Sequence, residues 1–232
     1  MVKYNYKWKD FTKFTFEEKK IILIAVFCVA GVLSDILAVK LINWGFITLE
    51  CGCILFPLVY ILNDSIVDLY GEKTMMKTAV LGMSMKILMV IVCTLCILAP
   101  YDPITFGTTQ THLESVLGFV PRIVIASLIG YIAGGAINAR TMSIFGNLTN
   151  GKHLFVRTIL STVFGELVDT ILFIGIAFYN TMPLESLLVF ILTQYLLKVG
   201  IEVVLQPLTY KIISWTRGSE DSLDYKREDF HL

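Results

Sequence analysis

The sequence predicts an all-α, polytopic membrane protein with six transmembrane helices. Of its 232 residues, 56% are hydrophobic and only 16% are charged, whereas ordinary soluble domains contain roughly 25% charged residues. A soluble core of this size could not bury so much apolar surface, but a bilayer accommodates it because the surrounding lipid is itself apolar. The formal net charge of zero gives no reason to expect a nucleic-acid partner.

Six apolar stretches are long enough to cross a bilayer, whose hydrocarbon core of ~30 Å requires roughly 20 helical residues. The second stretch is the most polar, because it contains Asn63, Asp64 and Asp68. The predicted spans are residues 21–39, 47–70, 79–99, 122–139, 157–179 and 185–213.

The placement of lysine and arginine supports all six spans and predicts their orientation. With six spans, fifteen of the 19 basic residues fall on one side of the membrane, and the segments 101–121 and 180–184 on the other side contain none. Because basic loops stay in the cytoplasm, we expect both termini to be cytoplasmic. The predicted organisation is a basic, aromatic cytoplasmic tail at 1–20, a transmembrane domain at 21–215, and a charged cytoplasmic tail at 216–232.

Carboxyl side chains stand inside two of the predicted spans, with Asp64 in the second and both Glu166 and Asp169 in the fifth. A charged side chain at the bilayer centre costs ~2.5–3.5 kcal/mol on insertion scales, so each needs a partner or a function. Glu166 and Asp169 are three residues apart and share a helix face. Two carboxylates this close cannot both be ionised in apolar surroundings without a cation. We therefore expect one of them to be protonated or paired with a lysine.

A polar stripe with four-residue spacing runs along one face of the sixth predicted helix. Its members are Gln194, Lys198, Glu202 and Gln206. One interpretation is that the stripe joins neighbouring helices through hydrogen bonds. Another is that Lys198 pairs with Glu202, or is the counter-ion of Asp64 or Asp169.

The fourth predicted helix begins with Arg122 and carries small residues at four-residue spacing. These are Ala126, Gly130 and Gly134, followed by Asn138. Small side chains allow two helix backbones to approach closely, so the stripe predicts a tight helix–helix contact. Arg122, at the outer end, is a candidate gate, contact for an anionic group, or interfacial anchor.

Four sequence blocks together resemble one transporter family. They are NDSIVDLYGE from Asn63, RIVIAS from Arg122, STVFGELVDT from Ser161 and LLKVGIEVV from Leu196. In this order they are similar to the queuosine precursor transporter family, which comprises vitamin-uptake-like, six-helix proteins of the bacterial inner membrane. The resemblance covers residues 30–215.

The resemblance implies uptake of a small 7-deazapurine: 7-cyano- or 7-aminomethyl-7-deazaguanine, or queuine, salvaged for tRNA modification. A carboxylate could accept the two adjacent N–H groups of the guanine-like edge. No catalytic residue, metal site or cofactor is implied. The coupling ion, a proton or sodium, and the oligomeric state stay open. The predicted substrate-binding residues are Asn63, Asp64, Arg122, Glu166, Asp169, Lys198 and Gln206.

Two alternative functions are consistent with a small six-helix membrane protein. One is a substrate-binding subunit of an energy-coupling-factor vitamin importer, although the Ala-x-x-x-Ala motif of those subunits is absent from the first helix. The other is a quinone-linked thiol oxidoreductase, because Cys51 and Cys53 lie near the outer end of the second span and Cys93 and Cys96 near that of the third. Cysteine is also an ordinary buried apolar residue.

Overall fold

The fold is described by a computed structural model, which covers residues 14–45, 47–148 and 154–218. Within these ranges the structure contains seven α-helices and one β-hairpin. The elements are α1 (Phe16–Leu37), β1 (Leu41–Trp44), β2 (Ile47–Glu50), a 3-10 helix (Cys51–Leu55), α2 (Phe56–Tyr70), α3 (Glu72–Leu98), α4 (Pro103–Leu117), α5 (Val120–Leu148), α6 (Leu154–Ala177) and α7 (Leu184–Arg217).

Among the described residues, six stretches are long and apolar enough to cross a membrane, which confirms the predicted class and number of spans. They lie in α1, in the 3-10 helix with α2, in α3, in α4 with α5, in α6, and in α7. The predicted tails at 1–20 and 216–232 fall largely outside the described residues.

The first helix begins at Phe16, five residues earlier than predicted, because a capping box starts it. The backbone N–H of Glu18 donates to Thr15 Oγ1 at 3.2 Å, and the backbone N–H of Thr15 donates to Glu18 Oε2 at 2.8 Å. Such a reciprocal pair satisfies two amides that have no partner inside the helix. Helix α1 therefore includes residues that the sequence analysis assigned to the tail.

The predicted start of the second span at residue 47 is wrong, because residues 47–50 form a strand. Strand β2 pairs antiparallel with β1, and Leu41 stands opposite Glu50. At the turn, Gly45 has a φ of 71° and its N–H donates to Asn43 Oδ1 at 3.1 Å. Glycine reaches positive φ without the steric cost of a Cβ. The hairpin is followed by the 3-10 helix, so α2 begins only at Phe56.

The segment 101–121, predicted only as a connection between the third and fourth spans, is mostly helix α4. Asp102 caps this helix by accepting a hydrogen bond from the Ile104 backbone N–H at 3.0 Å. Hydrogen bonds from the Thr105 side chain and from the Ile104 amide hold the pKa of Asp102 below its ordinary value. The side chain of Gln110 donates to the carbonyl of Ile97 at 2.9 Å, which ties α4 to the end of α3.

Helices α5 and α6 touch backbone to backbone along the small-residue stripe. A Cβ added to Gly134 would come within 2.8 Å of the Gly165 carbonyl oxygen, and one added to Gly165 would come within 2.9 Å of Asn138 Cβ and 3.0 Å of the Gly134 carbonyl oxygen. Real Cβ contacts are almost never this short, so both positions require glycine. The predicted tight helix–helix contact is confirmed, with α6 as the partner of α5.

Two apolar clusters close the bundle at opposite ends. One contains Phe173, Phe178 and Phe190, from the end of α6 and the start of α7. The other contains Leu23 from α1 and Ile66 from α2, together with residues from the start of α3 and the end of α7.

Candidate functional site

A cavity of about 340 Å³ lies between the two apolar clusters and is lined by α1, α2, α3, α5, α6 and α7. Its volume falls in the range of roughly 300–1,000 Å³ that is typical of small-molecule sites. The wall is rich in acids. The charged residues that line it are Asp35, Glu50, Asp64, Glu166, Asp169 and Glu202, with Lys86 and Lys198.

Lys198 on α7 is the central cation of this cavity. Its ammonium group forms an ion pair with Asp169 of α6 and lies 3.2 Å from Glu166 Oε2, one turn away on the same helix. The ammonium group also lies 5.3 Å from the centroid of the Phe56 ring. Lys198 is 6% exposed, and a buried charge of this kind requires compensation. One lysine is therefore shared by the two carboxylates, as expected for two adjacent acids.

Asp169 is held from its other side by the glycines of α5. A Cβ on Gly130 would come within 2.6 Å of Asp169 Oδ1, and one on Gly134 within 2.8 Å of Asp169 Cβ. The close approach of α5 and α6 therefore also encloses this carboxylate, with Lys198 on α7 as its cation.

A second ion pair crosses the cavity wall from α1 to α3. Lys86 Nζ lies 3.0 Å from Asp35 Oδ2 and donates to Ser127 Oγ of α5 at 2.9 Å. Neither Asp35 nor Lys86 belongs to the predicted site. One charged residue within each of two otherwise apolar predicted spans is the signal that could have identified them.

Glu50 is a further cavity residue that the sequence analysis missed. It ends β2, is 1% exposed, and accepts a hydrogen bond from Gln194 Nε2 at 3.0 Å. Gln194, which belongs to the polar stripe of α7, is thus directed toward the hairpin. A single glutamate in an apolar stretch was the available signal, but its contact with α7 depends on the hairpin.

The predicted residues of α2 reach the cavity together. Asn63 and Asp64 both line it, and Asn63 Nδ2 donates to Asp64 Oδ1 at 3.4 Å. Glu202 of α7, which also lines the cavity, accepts a hydrogen bond from Thr162 Oγ1 of α6 at 3.0 Å. The side chain of Gln206 lies outside the described part of the structure.

Arg122 lies in the first turn of α5 and is not among the residues that line the cavity. Its Nε donates to the carbonyl of Ile176 at 2.8 Å, and its NH2 group donates to the carbonyl of Tyr179 at 2.6 Å. Carbonyl groups at the end of a helix have no partner inside the helix and favour a nearby cation. These contacts make Arg122 a cap for the end of α6.

Comparison with known proteins places the chain in a family. A sequence model of the family described as "Putative vitamin uptake transporter" matches residues 50–212. The chain belongs to this family. Two relatives, each named "Probable queuosine precursor transporter", support the assignment. The one from Bacillus subtilis (strain 168) is 25% identical over 182 residues, which are 78% of this chain and 79% of that protein.

The second relative, from Haemophilus influenzae (strain ATCC 51907 / DSM 11121 / KW20 / Rd), is 26% identical over 146 residues. These are 60% of this chain and 53% of the relative. No solved structure matches the chain. Together with the six apolar helices, the family makes this chain a multi-pass membrane transporter.

The part matched by the vitamin uptake transporter family extends from Glu50 to α7 and includes all seven predicted site residues. Helix α1, which contributes Asp35 to the cavity wall, precedes it. The thiol groups that motivated the oxidoreductase alternative are all free. Cys53 is buried and Cys96 is exposed, and the relatives are named as transporters rather than as enzymes.

Proposed function

We propose that this transporter imports 7-deazaguanine precursors of queuosine, or the base queuine, across the cell membrane. The names of the two relatives support this substrate class. The single observation that carries the proposal is the cavity at the centre of the bundle, where a lysine and a pair of carboxylates lie side by side.

The pairing of Lys198 with carboxylates suits the edge of a guanine-like ring. Such an edge presents a carbonyl acceptor followed by two adjacent N–H donors. The ammonium group of Lys198 can donate to the carbonyl, while the carboxylate of Asp169 accepts from both N–H groups. Glu166, which also contacts Lys198, supplies a second carboxylate for the amine of an aminomethyl or queuine side chain.

Aromatic side chains of the cavity supply surfaces on which a planar ring can stack. Phe56 and Tyr60 of α2 and Phe173 of α6 all line it. Stacking of a base on an aromatic ring contributes roughly 1–3 kcal/mol. In this proposal the aromatic groups hold the ring plane, and the polar groups select its edge.

The proposed binding residues are Asn63, Asp64, Glu166, Asp169 and Lys198. Gln206 stays a prediction, because its side chain is outside the described residues. Arg122 is left out of the proposed site, because its guanidinium group is engaged with the end of α6.

The charge balance of the cavity supports coupling of transport to an ion gradient. Six acids face two lysines among the described residues that line it. An excess of buried carboxylates is what a carrier of protons or sodium ions needs. A passive facilitator and an importer driven by ATPase partners have no such requirement.

Uptake into liposomes that contain only the purified chain tests this function. Labelled queuine and the two precursors should enter saturably and compete with one another. Absence of uptake until ATPase partners are added would favour the energy-coupling-factor alternative. A variant with all five cysteines changed to serine or alanine should transport normally, and its failure would favour the thiol oxidoreductase.

A further inference from the structure

Glu50 is a deeply buried carboxyl group that the proposed substrate site does not use. It stands at the junction of β2 and the 3-10 helix, borders the cavity, and is 1% exposed. Its Oε1 accepts the hydrogen bond from Gln194 Nε2 of α7, and Gln194 is fully buried. The two side chains therefore form a polar contact between the hairpin and α7 that is closed to solvent.

Among the described residues, two oxygen atoms beside this hydrogen bond have no partner in hydrogen-bond geometry, although the backbone N–H of Gly52 also acts on the Glu50 carboxyl group. Within the described part of the chain, neither Glu50 Oε2 nor Gln194 Oε1 has a hydrogen-bond partner. A buried acceptor that loses its water without gaining a donor is costly. Both unsatisfied atoms belong to side chains that are already joined by one hydrogen bond, so a single additional hydrogen could satisfy both.

The charged groups around Glu50 do not supply that hydrogen. Asp35 of α1 is another acid and is paired with Lys86. Lys198 of α7 acts on Glu50 only through its charge, and its ammonium group is engaged with the carboxylates of α6. On the segment of Glu50 itself, Cys53 carries a buried thiol. Among the residues that the structure describes, no cation pairs with Glu50.

We propose that Glu50 is the proton-binding site that couples this transporter to the proton gradient, and that it holds the proton in an acid–amide pair with Gln194. A proton on Oε2 turns that atom into a donor for Gln194 Oε1, while the amide of Gln194 continues to donate to Oε1. A single proton therefore gives Glu50 and Gln194 two hydrogen bonds, which close a ring between the two side chains. This inference rests on the proposed transport function and names the residue that carries its coupling ion.

The surroundings of Glu50 favour a proton over a sodium ion. A hard metal cation needs several oxygen ligands, but Oε1 of Glu50 already faces an amide N–H. The other oxygen is closely packed, since a Cβ on Gly52 would come within 2.3 Å of the Ser34 carbonyl oxygen, 2.6 Å of Oε2 and 2.8 Å of Ser34 Oγ. Gly52 itself therefore occupies the space beside these three oxygens. There is room for a hydrogen but not for a coordination shell.

Loss of the proton from Glu50 would affect the substrate site through the charge of Lys198. When Glu50 is ionised, it becomes a third carboxylate that interacts electrostatically with Lys198, in addition to Glu166 and Asp169. It also leaves Gln194 Oε1 without a donor and so weakens the contact between the hairpin and α7. The same helix carries both Gln194 and Lys198, one turn apart. Proton release and rearrangement of the Lys198 ion pairs are therefore linked.

The Glu50→Gln variant tests the site because glutamine copies the shape and the hydrogen bonds of the protonated acid. In liposomes at equal pH on both sides, exchange of labelled queuine should stay within about twofold of wild type. Accumulation driven by an inward proton gradient should be lost. The control is Glu185→Gln, an exposed carboxylate in the first turn of α7, which should behave as wild type. Undiminished accumulation by Glu50→Gln, or wild-type accumulation that requires sodium, overturns the proposal.

A second measurement separates this inference from the choice of substrate. Infrared difference spectra of the purified protein between low and high pH should contain a carbonyl band of a protonated carboxyl group that is missing in Glu50→Gln and present in Glu185→Gln. Identical spectra for all three proteins would show that Glu50 does not titrate and would overturn the proton site. A missing band together with no exchange of queuine by wild type would support the proton site and contradict the proposed substrate.

Discussion

Asp169 on α6 lies directly against Gly134 on α5, so closely that a methyl group on the glycine would come within 2.8 Å of Asp169 Cβ. The next glycine of the stripe, Gly130, faces the carboxylate itself. From α7, Lys198 pairs with the same carboxylate. The packing of α5 against α6 and the position of the proposed binding group are consequently set by the same residues.

We expect Gly134→Ala to destabilise the protein and to impair transport together. The added methyl group meets Asp169 and the Gly165 carbonyl, and overpacking of this kind costs about 1–3 kcal/mol. Thermal unfolding in detergent and uptake of labelled queuine would measure the two effects. Gly135→Ala is the matched control, because a Cβ there meets nothing within 4 Å. Equal stability of the two variants would contradict the tight α5–α6 contact.

Asp169→Asn should lower uptake at least tenfold, about 1.4 kcal/mol, at a normal protein level. The amide keeps the size of the side chain but replaces one acceptor by a donor, so it cannot accept both N–H groups of the substrate. Initial rates of queuine uptake into cells lacking their own transporter would measure the change. Uptake close to wild type would remove Asp169 from the proposed site.

Lys86→Met should destabilise the protein by about 3–5 kcal/mol, because it leaves Asp35 buried without its cation. Adding Asp35→Asn to the same protein should restore much of the loss, since the uncompensated charge is then removed as well. Unfolding temperatures of the two single variants and the double variant form a double-mutant cycle. Strictly additive losses would show that the two side chains do not interact.

Reporter fusions should place residues 73–77 and 141–153 and the C-terminus in the cytoplasm, and residues 102–116 outside. The expectation follows from the bias of basic residues toward one side of the six spans. Activity of an extracellular reporter fused to the C-terminus would contradict the predicted orientation.

The parts of the fold that could be predicted are those that depend on neighbouring residues. Apolar runs of sufficient length report membrane spans directly, so their number was correct. The early start of α1 was not predicted, although Thr15 and Glu18 have the spacing of a capping box and so carried a local signal for it. The hairpin was missed since its short apolar strands resemble the beginning of a helix, and only the turn at Gly45 separates the two structures.

The site could be predicted only where the relevant residues lie on a single helix and their spacing places them on the same face. Glu166 and Asp169 share a face of α6, and a nearby lysine was expected because two buried carboxylates need a cation. The sequence left open whether Lys198 would pair with Glu202, Asp64 or Asp169. The packing of α7 against α6 brings it to Asp169 and Glu166, while Glu202 accepts from Thr162. Arg122 is a similar case, since its contact with the end of α6 depends on how α5 lies beside that helix.

The sequence by itself determined the membrane class, the six spans and the presence of charged groups among them, because hydropathy and helix periodicity are properties of adjacent residues. Only the tertiary structure decided which of those charges meet. Glu50 and Gln194 are 144 positions apart, and Asp35 and Lys86 are 51 apart. Contacts of this kind arise when helices pack against one another, and a pattern along one helix contains no information about its partner.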